Sequence, residues 1–439
     1  MNIRKCSVIG LGKLGACMSA AIASKGFNVI GVDKNPDFVK AFNQRKPPIF
    51  EPGLEKMIKK HGSRIHATTD YNEAVADSDI TFIVVPTPSD PGGGFSLRHV
   101  KKAADSVGKA LSKKGSFHIV VITSTVLPGS TNLEIVPLIE KASKKKCGRN
   151  FGLCYNPEFI ALGTVIPNFL NPDFILIGES DKNTGAALEN FYKKICDNKP
   201  SFARMNFVNA ELTKIAVNSY ITTKITFANM LAELAEKLPG GDVDVITDAL
   251  GSDSRIGKRC LKGGLGYGGP CFPRDNAALA SVAKKLKVHA DVPNATDEFN
   301  RRIVNRVFQI VKAKIKPGEV VGVLGLSYKP LSNVIEESQP VSLLESFKKS
   351  GIKIVVYDPL AMGNVKAVFK NSVRFADSAR SLIKCSDILI IANPDPEFVK
   401  LKISDFSDSK RLRVIVDCWR IFRHIRFFAL DYIPLGIGK

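Results

Sequence analysis

Cys271 stands in the run Gly263-Gly264-Leu265-Gly266-Tyr267-Gly268-Gly269-Pro270-Cys271-Phe272-Pro273-Arg274-Asp275, with five glycines in seven residues. Glycine this dense forms neither a helix nor a ladder-forming strand, and it marks backbone that must approach something closely. A thiol placed there has access, a neighbouring cation in Arg274 and a proton partner in Asp275. Those are the conditions that favour a thiolate and make it a nucleophile. A surface glycine loop with an incidental cysteine has the same composition, so the choice rests on the rest of the chain.

A second constellation opens the chain. The apolar run Cys6 to Gly10 leads into Leu11-Gly12-Lys13-Leu14-Gly15 and then a helical stretch, Ala16 to Lys25. Glycines 10, 12 and 15 have the G-x-G-x-x-G spacing: one for the turn, one for close approach of a pyrophosphate, one for helix–strand packing. A second apolar run, Phe27 to Val32, ends in Asp33. An acid about 20 residues past the glycines accepts a hydrogen bond from a ribose 2′-hydroxyl and repels a 2′-phosphate. This predicts NAD over NADP, with the neighbouring Lys34 softening the preference.

The elements around these residues alternate strand and helix. Asp77-Ser78-Asp79 introduces the strand Ile80 to Val85, which ends at Pro86-Thr87-Pro88. The strand Phe117 to Ile122 ends at Thr123-Ser124-Thr125, and Phe151 to Tyr155 ends at Asn156-Pro157-Glu158. Ligands of a doubly wound parallel sheet lie outside the carboxyl ends of its strands, so Thr87, Thr125 and Glu158 are expected to face one crevice. From Asn209 to Lys237 there is no Gly or Pro, which predicts a helix of about eight turns. It has room to bridge domains and to offer a dimer surface. Lys214 and Asn218, four apart, share a face of it; by periodicity alone the pair is unremarkable.

Beyond Pro317 a second nucleotide-fold pattern begins. Val320 to Leu324 opens into Gly325-Leu326-Ser327-Tyr328-Lys329-Pro330, and Ile352 to Tyr357 ends in Asp358. Cys385-Ser386-Asp387 precedes Ile388 to Ala392, and Val414-Ile415-Val416 ends at Asp417-Cys418-Trp419-Arg420. Only Gly325 of a glycine triplet is present, so this half is expected to hold a different phosphate-bearing ligand. The expected architecture is α/β: two Rossmann-like doubly wound domains, residues 1–200 and 315–439, joined by a central helical domain, 201–314, that carries the Cys271 loop.

Composition bounds the function. The 439 residues are too many for one core. At 44% hydrophobic and 24% charged they have an ordinary globular balance. No apolar run reaches the roughly 18 to 20 residues that span a bilayer. The first strand begins at the N-terminus, which reads as no cleaved signal peptide. Nine cysteines without a C-x-x-C pair argue against a disulfide framework or a zinc site and fit a reducing cytoplasm. The net charge of +21 is scattered, clustering only at Lys144-Lys145-Lys146 and Arg420 to Arg426, and no nucleic-acid motif accompanies it. It reads as the surface of an enzyme of anionic small substrates, with neither nucleic acid nor membrane as a partner.

With these motifs in order, the chain resembles the UDP-glucose/GDP-mannose dehydrogenase family over nearly its whole length. The resemblance also covers Phe50-Glu51-Pro52-Gly53-Leu54, Ser124-Thr125-Val126, Asn156-Pro157-Glu158-Phe159, Ala210-Glu211-Leu212 with Lys214, and Arg255-Ile256-Gly257. It implies a four-electron oxidation of a sugar C6 alcohol to the acid with two NAD, through a thiohemiacetal and a thioester on Cys271. It implies that Lys214 and Asn218 stabilise the oxyanion, an interaction typically worth about 3 kcal/mol. Asp275 and Thr125 would position water, and Glu158 would act as the base of thioester hydrolysis. NAD would be held by Gly10, Gly12, Lys13, Leu14, Gly15, Asp33, Lys34, Pro86, Thr87 and Thr125. The nucleotide-sugar would meet Glu158, Phe159, Ile160, Lys214, Asn218, Tyr267 and Gly268 and be gripped by Arg255, Lys262, Lys329 and Arg420, with Arg255 reaching across a homodimer.

Two positions depart from the family pattern. Leu162 stands where members often carry an acid, and Glu336 where an Arg often touches NAD. The sugar pocket is not legible, so UDP-glucose leads while UDP-N-acetylmannosamine, another UDP-aminosugar and GDP-mannose stay open. A non-catalytic nucleotide-sugar-binding protein would share the fold, but a binder has no need of Lys214, Asn218, Cys271 and Asp275 together.

Overall fold

The structure, a computed structural model, describes residues 3–438. The chain divides into two compact units, Met1–Ala216 and Val217–Lys439. The division falls within one long helix, Phe207–Ala235.

The first unit is built on eight strands: β1 (Lys5–Ile9), β2 (Asn28–Val32), β3 (Ile65–Thr68), β4 (Ile80–Ile83), β5 (His118–Ile122), β6 (Phe151–Tyr155), β7 (Phe174–Glu179) and β8 (Ser201–Met205). Their order is β3-β2-β1-β4-β5-β6-β7-β8. The central strands are apolar on consecutive residues because both faces are covered. Val8, Ile119 and Val121 face one core cluster, and Ile9, Val120 and Ile122 face another. All pairings are parallel except β6 with β7, which is antiparallel. The strand order reverses between β1 and β4, the switch point where such folds open a crevice.

Helix α1 (Lys13–Ser24) follows β1 after a turn of three residues and starts earlier than the glycine pattern suggests, with Gly12 as its N-cap. Its run Gly15 to Ala23 is small-residue-rich and fully buried, so it lies close on the sheet. Helix α2 (Lys182–Ile195) is capped by Asp181, whose side chain accepts from the Thr184 N–H. The long helix, α3 (Phe207–Ala235), begins two residues before the expected Asn209 and ends two before Lys237.

The second unit has a parallel six-stranded sheet of β9 (Val320–Leu324), β10 (Lys353–Tyr357), β11 (Arg374–Phe375), β12 (Ile388–Ile391), β13 (Val414–Asp417) and β14 (Asp431–Pro434), in the order β11-β10-β9-β12-β13-β14. Helices α4 (Val243–Leu250), α5 (Phe272–Lys285), α6 (Asp291–Lys314) and α7 (Gln339–Lys349) accompany it. Leu265, Ile303 and Val307 join the core on one face of this sheet, so the Cys271 loop and α6 are packed into the same unit as the strands.

Five strands were not read from the sequence, four of them for want of a clear signal. β3 and β8 have exposed or half-exposed residues, β11 has two residues, β14 ends in Pro434, and β7 is a plain apolar run.

Candidate active site

In the first unit, the dinucleotide turn is built by the protein's own packing at two glycines and left open at the third. Gly10 has φ +101°, and a Cβ there would lie 2.3 Å from the Val84 carbonyl oxygen. A Cβ on Gly15 would lie 1.8 Å from the Gly10 carbonyl oxygen. Gly12 has an ordinary φ of −73°, and a Cβ there meets nothing within 4 Å. The fold itself makes no demand for glycine at 12. The open space beside the α1 N-terminus fits a dinucleotide phosphate, with the free N–H groups of the first turn facing it.

Asp33 Oδ2 accepts from the Leu11 N–H at 2.7 Å and Oδ1 from the Asn35 N–H at 2.8 Å. The carboxylate thus ties the end of β2 to the turn, and being half-exposed it keeps lone pairs outward. Lys13, Lys34 and Pro86 are exposed, Leu14 is half-buried and Thr87 is buried. Thr87, Thr125 and Glu158 follow the carboxyl ends of the adjacent parallel strands β4, β5 and β6.

Two buried glutamates fix the loops after those strands. Glu51 accepts from the N–H groups of Gly163 (3.0 Å) and Val165 (2.9 Å) and so anchors the segment after Glu158. Glu211 accepts from Gly129 (2.6 Å) and Thr131 (2.8 Å) and anchors the segment after Thr125. Lys214 Nζ donates to the Glu158 backbone carbonyl at 2.9 Å and lies 4.5 Å from the centre of the Phe159 ring. Phe159 packs on Phe174, ring centres 4.8 Å apart, and Ile160 is half-buried. The Glu158 carboxyl is enclosed, and this burial, opposed by the Lys214 ammonium, pushes its pKa up to about 7. A carboxyl poised there exchanges a proton readily at neutral pH. Leu162 packs against the core, which explains why an apolar residue is tolerated where an acid was looked for.

In the second unit, Cys271 is exposed and stands at the N-cap position of α5, its side chain making no cap hydrogen bond. A helix N-terminus favours a thiolate. One turn on, Asp275 is 1% exposed and accepts from Asn218 Nδ2 at 2.6 Å. The two residues assigned to water and oxyanion are therefore a bonded pair.

The close approach announced by the glycines of this loop is to the protein itself. A Cβ on Gly264 would strike the Trp419 ring at 2.6 Å, one on Gly268 the Glu337 carbonyl at 2.1 Å, and one on Gly269 the Tyr328 ring at 2.5 Å. Three amides pin the same backbone. Asn300 accepts from the Tyr267 N–H (2.9 Å) and donates to its carbonyl (2.8 Å), Gln339 donates to that carbonyl (2.8 Å), and Asn229 accepts from the Gly264 N–H (2.7 Å). Tyr267 itself is buried, its hydroxyl bonded to Asp297 and Asn276.

The basic residues divide. Arg255 is exposed and paired with Asp253 at 2.6 Å, and Lys262 is exposed. Lys329 is half-buried beside Tyr328. Glu336 is exposed. Arg420 departs from the expected ligand grip: it is 4% exposed, and its guanidinium is committed to Asp244 (2.9 and 3.0 Å) and to the carbonyls of Leu435 and Gly263 (both 2.8 Å). Its geometry is that of a clamp on the Cys271 loop.

The anchors Asn229, Asn300 and Tyr192 were not singled out from the sequence, and Glu51 stood only within a family-like motif without a role. Asn300 did have a signal, since it occupies the buried face that Ile303, Val304 and Val307 continue along α6.

The chain has relatives among known proteins over nearly its whole length. The chain fits the UDP-glucose/GDP-mannose dehydrogenase family in three stretches: the NAD binding domain over residues 4–196, the central domain over 208–302 and the UDP binding domain over 322–424. It is 35% identical over 433 residues to the UDP-glucose 6-dehydrogenase AglM of Haloferax volcanii, covering 98% of this chain and 99% of that protein. It is 33% identical over 409 residues to the GDP-mannose 6-dehydrogenase of Pseudomonas aeruginosa, covering 90% and 92%. The solved UDP-glucose dehydrogenase of Pyrobaculum islandicum superposes with a TM-score of 0.89 at 32% identity, covering 99% of this chain and 98% of that one.

The chain belongs to the UDP-glucose/GDP-mannose dehydrogenase family. It is an NAD-dependent nucleotide-sugar 6-dehydrogenase, an oxidoreductase of two Rossmann-like domains and a central helical segment. Among the described residues no helix is long and apolar enough to cross a membrane.

Proposed function

We propose that the substrate is a UDP-sugar, UDP-glucose first among them, and that its C6 alcohol is carried to the carboxylate without release of the aldehyde. The observation that carries this reading is Cys271: an exposed thiol at a helix N-terminus, one turn from an Asp275–Asn218 pair. The match of residues 322–424 to a UDP binding domain and the likeness to two UDP-glucose dehydrogenases support this choice.

What NAD supplies when bound is a hydride acceptor, used once at the alcohol and once at the cysteine adduct. Gly10, Gly12, Lys13, Leu14 and Gly15 would hold its phosphates, Asp33 and Lys34 its ribose, and Pro86, Thr87 and Thr125 the remainder. The Cys271 sulfur adds to the aldehyde carbon, forming a C–S bond, while Lys214 and Asn218 stabilise the oxygen that gains charge. Water held by Asp275 and Thr125 then attacks the thioester carbon. Glu158 takes the water's proton, the C–S bond breaks, and the thiolate is restored.

Phe159, Ile160, Tyr267 and Gly268 would border the sugar, and Lys262 and Lys329 would meet the diphosphate. A homodimer is part of the proposal. Tyr220, Phe227 and Leu234 recur every seven residues on α3 and are all exposed, an apolar stripe suited to a second copy. The exposed Arg255 would reach the partner's substrate. The nine free cysteines fit a reducing cytoplasm.

The test is NADH formed per sugar with UDP-glucose, UDP-N-acetylmannosamine and GDP-mannose. Two NADH per UDP-glucose, with no aldehyde trapped in solution, is the expected result. One NADH with free aldehyde would reject the Cys271 mechanism, and selective turnover of another sugar would reassign the substrate.

A further inference from the structure

Asn156, Tyr192 and Glu158 form a hydrogen-bond chain whose direction the fold dictates. Asn156 follows β6 and Tyr192 lies on α2, and both side chains are buried. Asn156 Nδ2 donates to the Leu176 carbonyl of β7 at 2.9 Å. A carbonyl only accepts, so this bond identifies the two ends of the amide and turns Asn156 Oδ1 toward Tyr192. The Tyr192 hydroxyl donates to that oxygen at 2.6 Å, and the same hydroxyl lies 3.1 Å from Glu158 Oε1. A phenol carries one proton. With that proton in the shorter contact, Tyr192 offers Glu158 a lone pair, and the longer contact closes only when Glu158 itself donates.

We propose that Asn156 and Tyr192 are positioning residues that keep a proton on Glu158, by directing the Tyr192 hydroxyl proton to Asn156 and leaving its oxygen as acceptor for the protonated carboxyl. The proposal rests on Glu158 being the base of thioester hydrolysis, and it holds for any sugar. Ionising Glu158 then has a structural consequence. Either two oxygens face each other with no proton between them, or Tyr192 turns to Glu158 and leaves a buried amide oxygen unpaired, and both are costly.

The other groups facing Glu158 do not reverse this. The Lys214 ammonium favours the ionised form but donates to the backbone carbonyl of Glu158. Cys196 is pushed up to about 11 by burial, and burial also raises Cys154 beside Tyr192, so neither adds charge at neutral pH. Burial acts in the same direction as the chain, holding the carboxyl near 7.

Tyr192→Phe tests the direction. Turnover limited by hydrolysis needs ionised Glu158, so the rate rises with pH through its pKa. Under the proposal the variant removes the acceptor of the protonated form, and the acid limb of kcat moves down by about half a pH unit to one unit. A limb that stays or moves up overturns the proposal, because Tyr192 would then have been donating to the carboxylate. Asn156→Ala frees the Tyr192 proton for the carboxylate and should move the limb down further; an unchanged limb overturns the proposal.

NAD titration of each variant checks that the first unit is folded, and if Asn156→Ala fails that check Tyr192→Phe decides. The infrared band of the protonated carboxyl, assigned by its loss in Glu158→Gln, reads the same shifts without turnover. Glu158→Gln also separates the two levels of argument. Undiminished acid formation by it would reject the base reading, while the infrared shifts of Tyr192→Phe would still decide the proton's direction.

Discussion

The two Rossmann-like sheets use one device at their first turns and finish it differently. In the first, Gly10 donates to the Val32 carbonyl at 2.7 Å and Leu11 to Asp33 at 2.7 Å. In the second, Gly325 donates to the Tyr357 carbonyl at 2.9 Å and Leu326 to Asp358 at 2.7 Å. The aspartate after the second strand thus staples the turn after the first strand in both.

Asp33 is half-exposed and receives two N–H bonds. Asp358 is 3% exposed and also receives Ser327 N–H and Oγ, Leu360 N–H and Ala361 N–H. One carboxylate is left with lone pairs for a ligand, and the other is spent on the loop. An acid at a strand end therefore marks a ribose site only where the surrounding backbone leaves it room.

The largest expected effect falls outside both staples, on the loop between them in sequence. Cys271→Ser should lower complete oxidation by about three orders of magnitude or more, since a hydroxyl is a far weaker nucleophile at neutral pH. Binding of NAD and of UDP-glucose, measured by titration, should be nearly unchanged. Acid formation at a rate close to that of the native enzyme would remove Cys271 from the chemistry.

Asp358→Ala breaks the comparison from the structural side. It leaves the buried N–H groups of Leu326, Ser327 and Ala361 without their acceptor, and the expected loss of stability is about 3–5 kcal/mol. Asp33→Ala, which removes a carboxylate nearer water that holds only two N–H groups, should cost about 1 kcal/mol. Chemical denaturation of the two variants measures the difference, and equal losses would mean that the two aspartates do the same work.

The glycines sharpen the contrast within the first turn. Gly15→Ala forces a Cβ into the Gly10 carbonyl, which backbone cannot yield cheaply, so the variant should lose stability by about 2 kcal/mol or more. Gly12→Ala should keep the native stability and weaken NAD, because the methyl enters the open space a phosphate would use. Melting temperatures with and without NAD separate the two. A Gly12→Ala protein that binds NAD normally would show the space to be incidental.

These contrasts also mark how far the sequence could be read. Gly10, Gly12, Gly15 and Asp33 were legible because their spacing is local and bounded by apolar strand runs. Cys271 was legible from glycine density and Asp275 from its nearness to the thiol along the chain, whereas the helix that begins between them was not. The separate duties of the glycines were not, since only packing shows that Gly12 stands in open space while Gly268 lies against the carbonyl of Glu337, 69 positions later in the numbering. The roles of Glu51 and Asn300 were illegible for the same reason, each acting on backbone distant in sequence. Arg420 misled because a strand-end arginine looks alike whether it grips a phosphate or, as its four bonds show, a loop.

The smallest effect expected concerns cofactor choice at Asp33. Its outward lone pairs would accept from a ribose 2′-hydroxyl and repel a 2′-phosphate, while the exposed Lys34 next to it partly offsets that repulsion. Asp33→Ser removes the repulsion and keeps a short polar side chain near the Leu11 N–H. The ratio of kcat/KM for NAD to that for NADP should fall by about 10- to 100-fold, an electrostatic difference of roughly 1.4–2.8 kcal/mol. Most of the change should lie in KM, because the 2′-position is remote from the reacting carbon. The corresponding substitution at Asp358 should leave the ratio unchanged in whatever protein still folds. A cofactor ratio that responds to Asp358 and not to Asp33 would reverse the assignment of the two sheets.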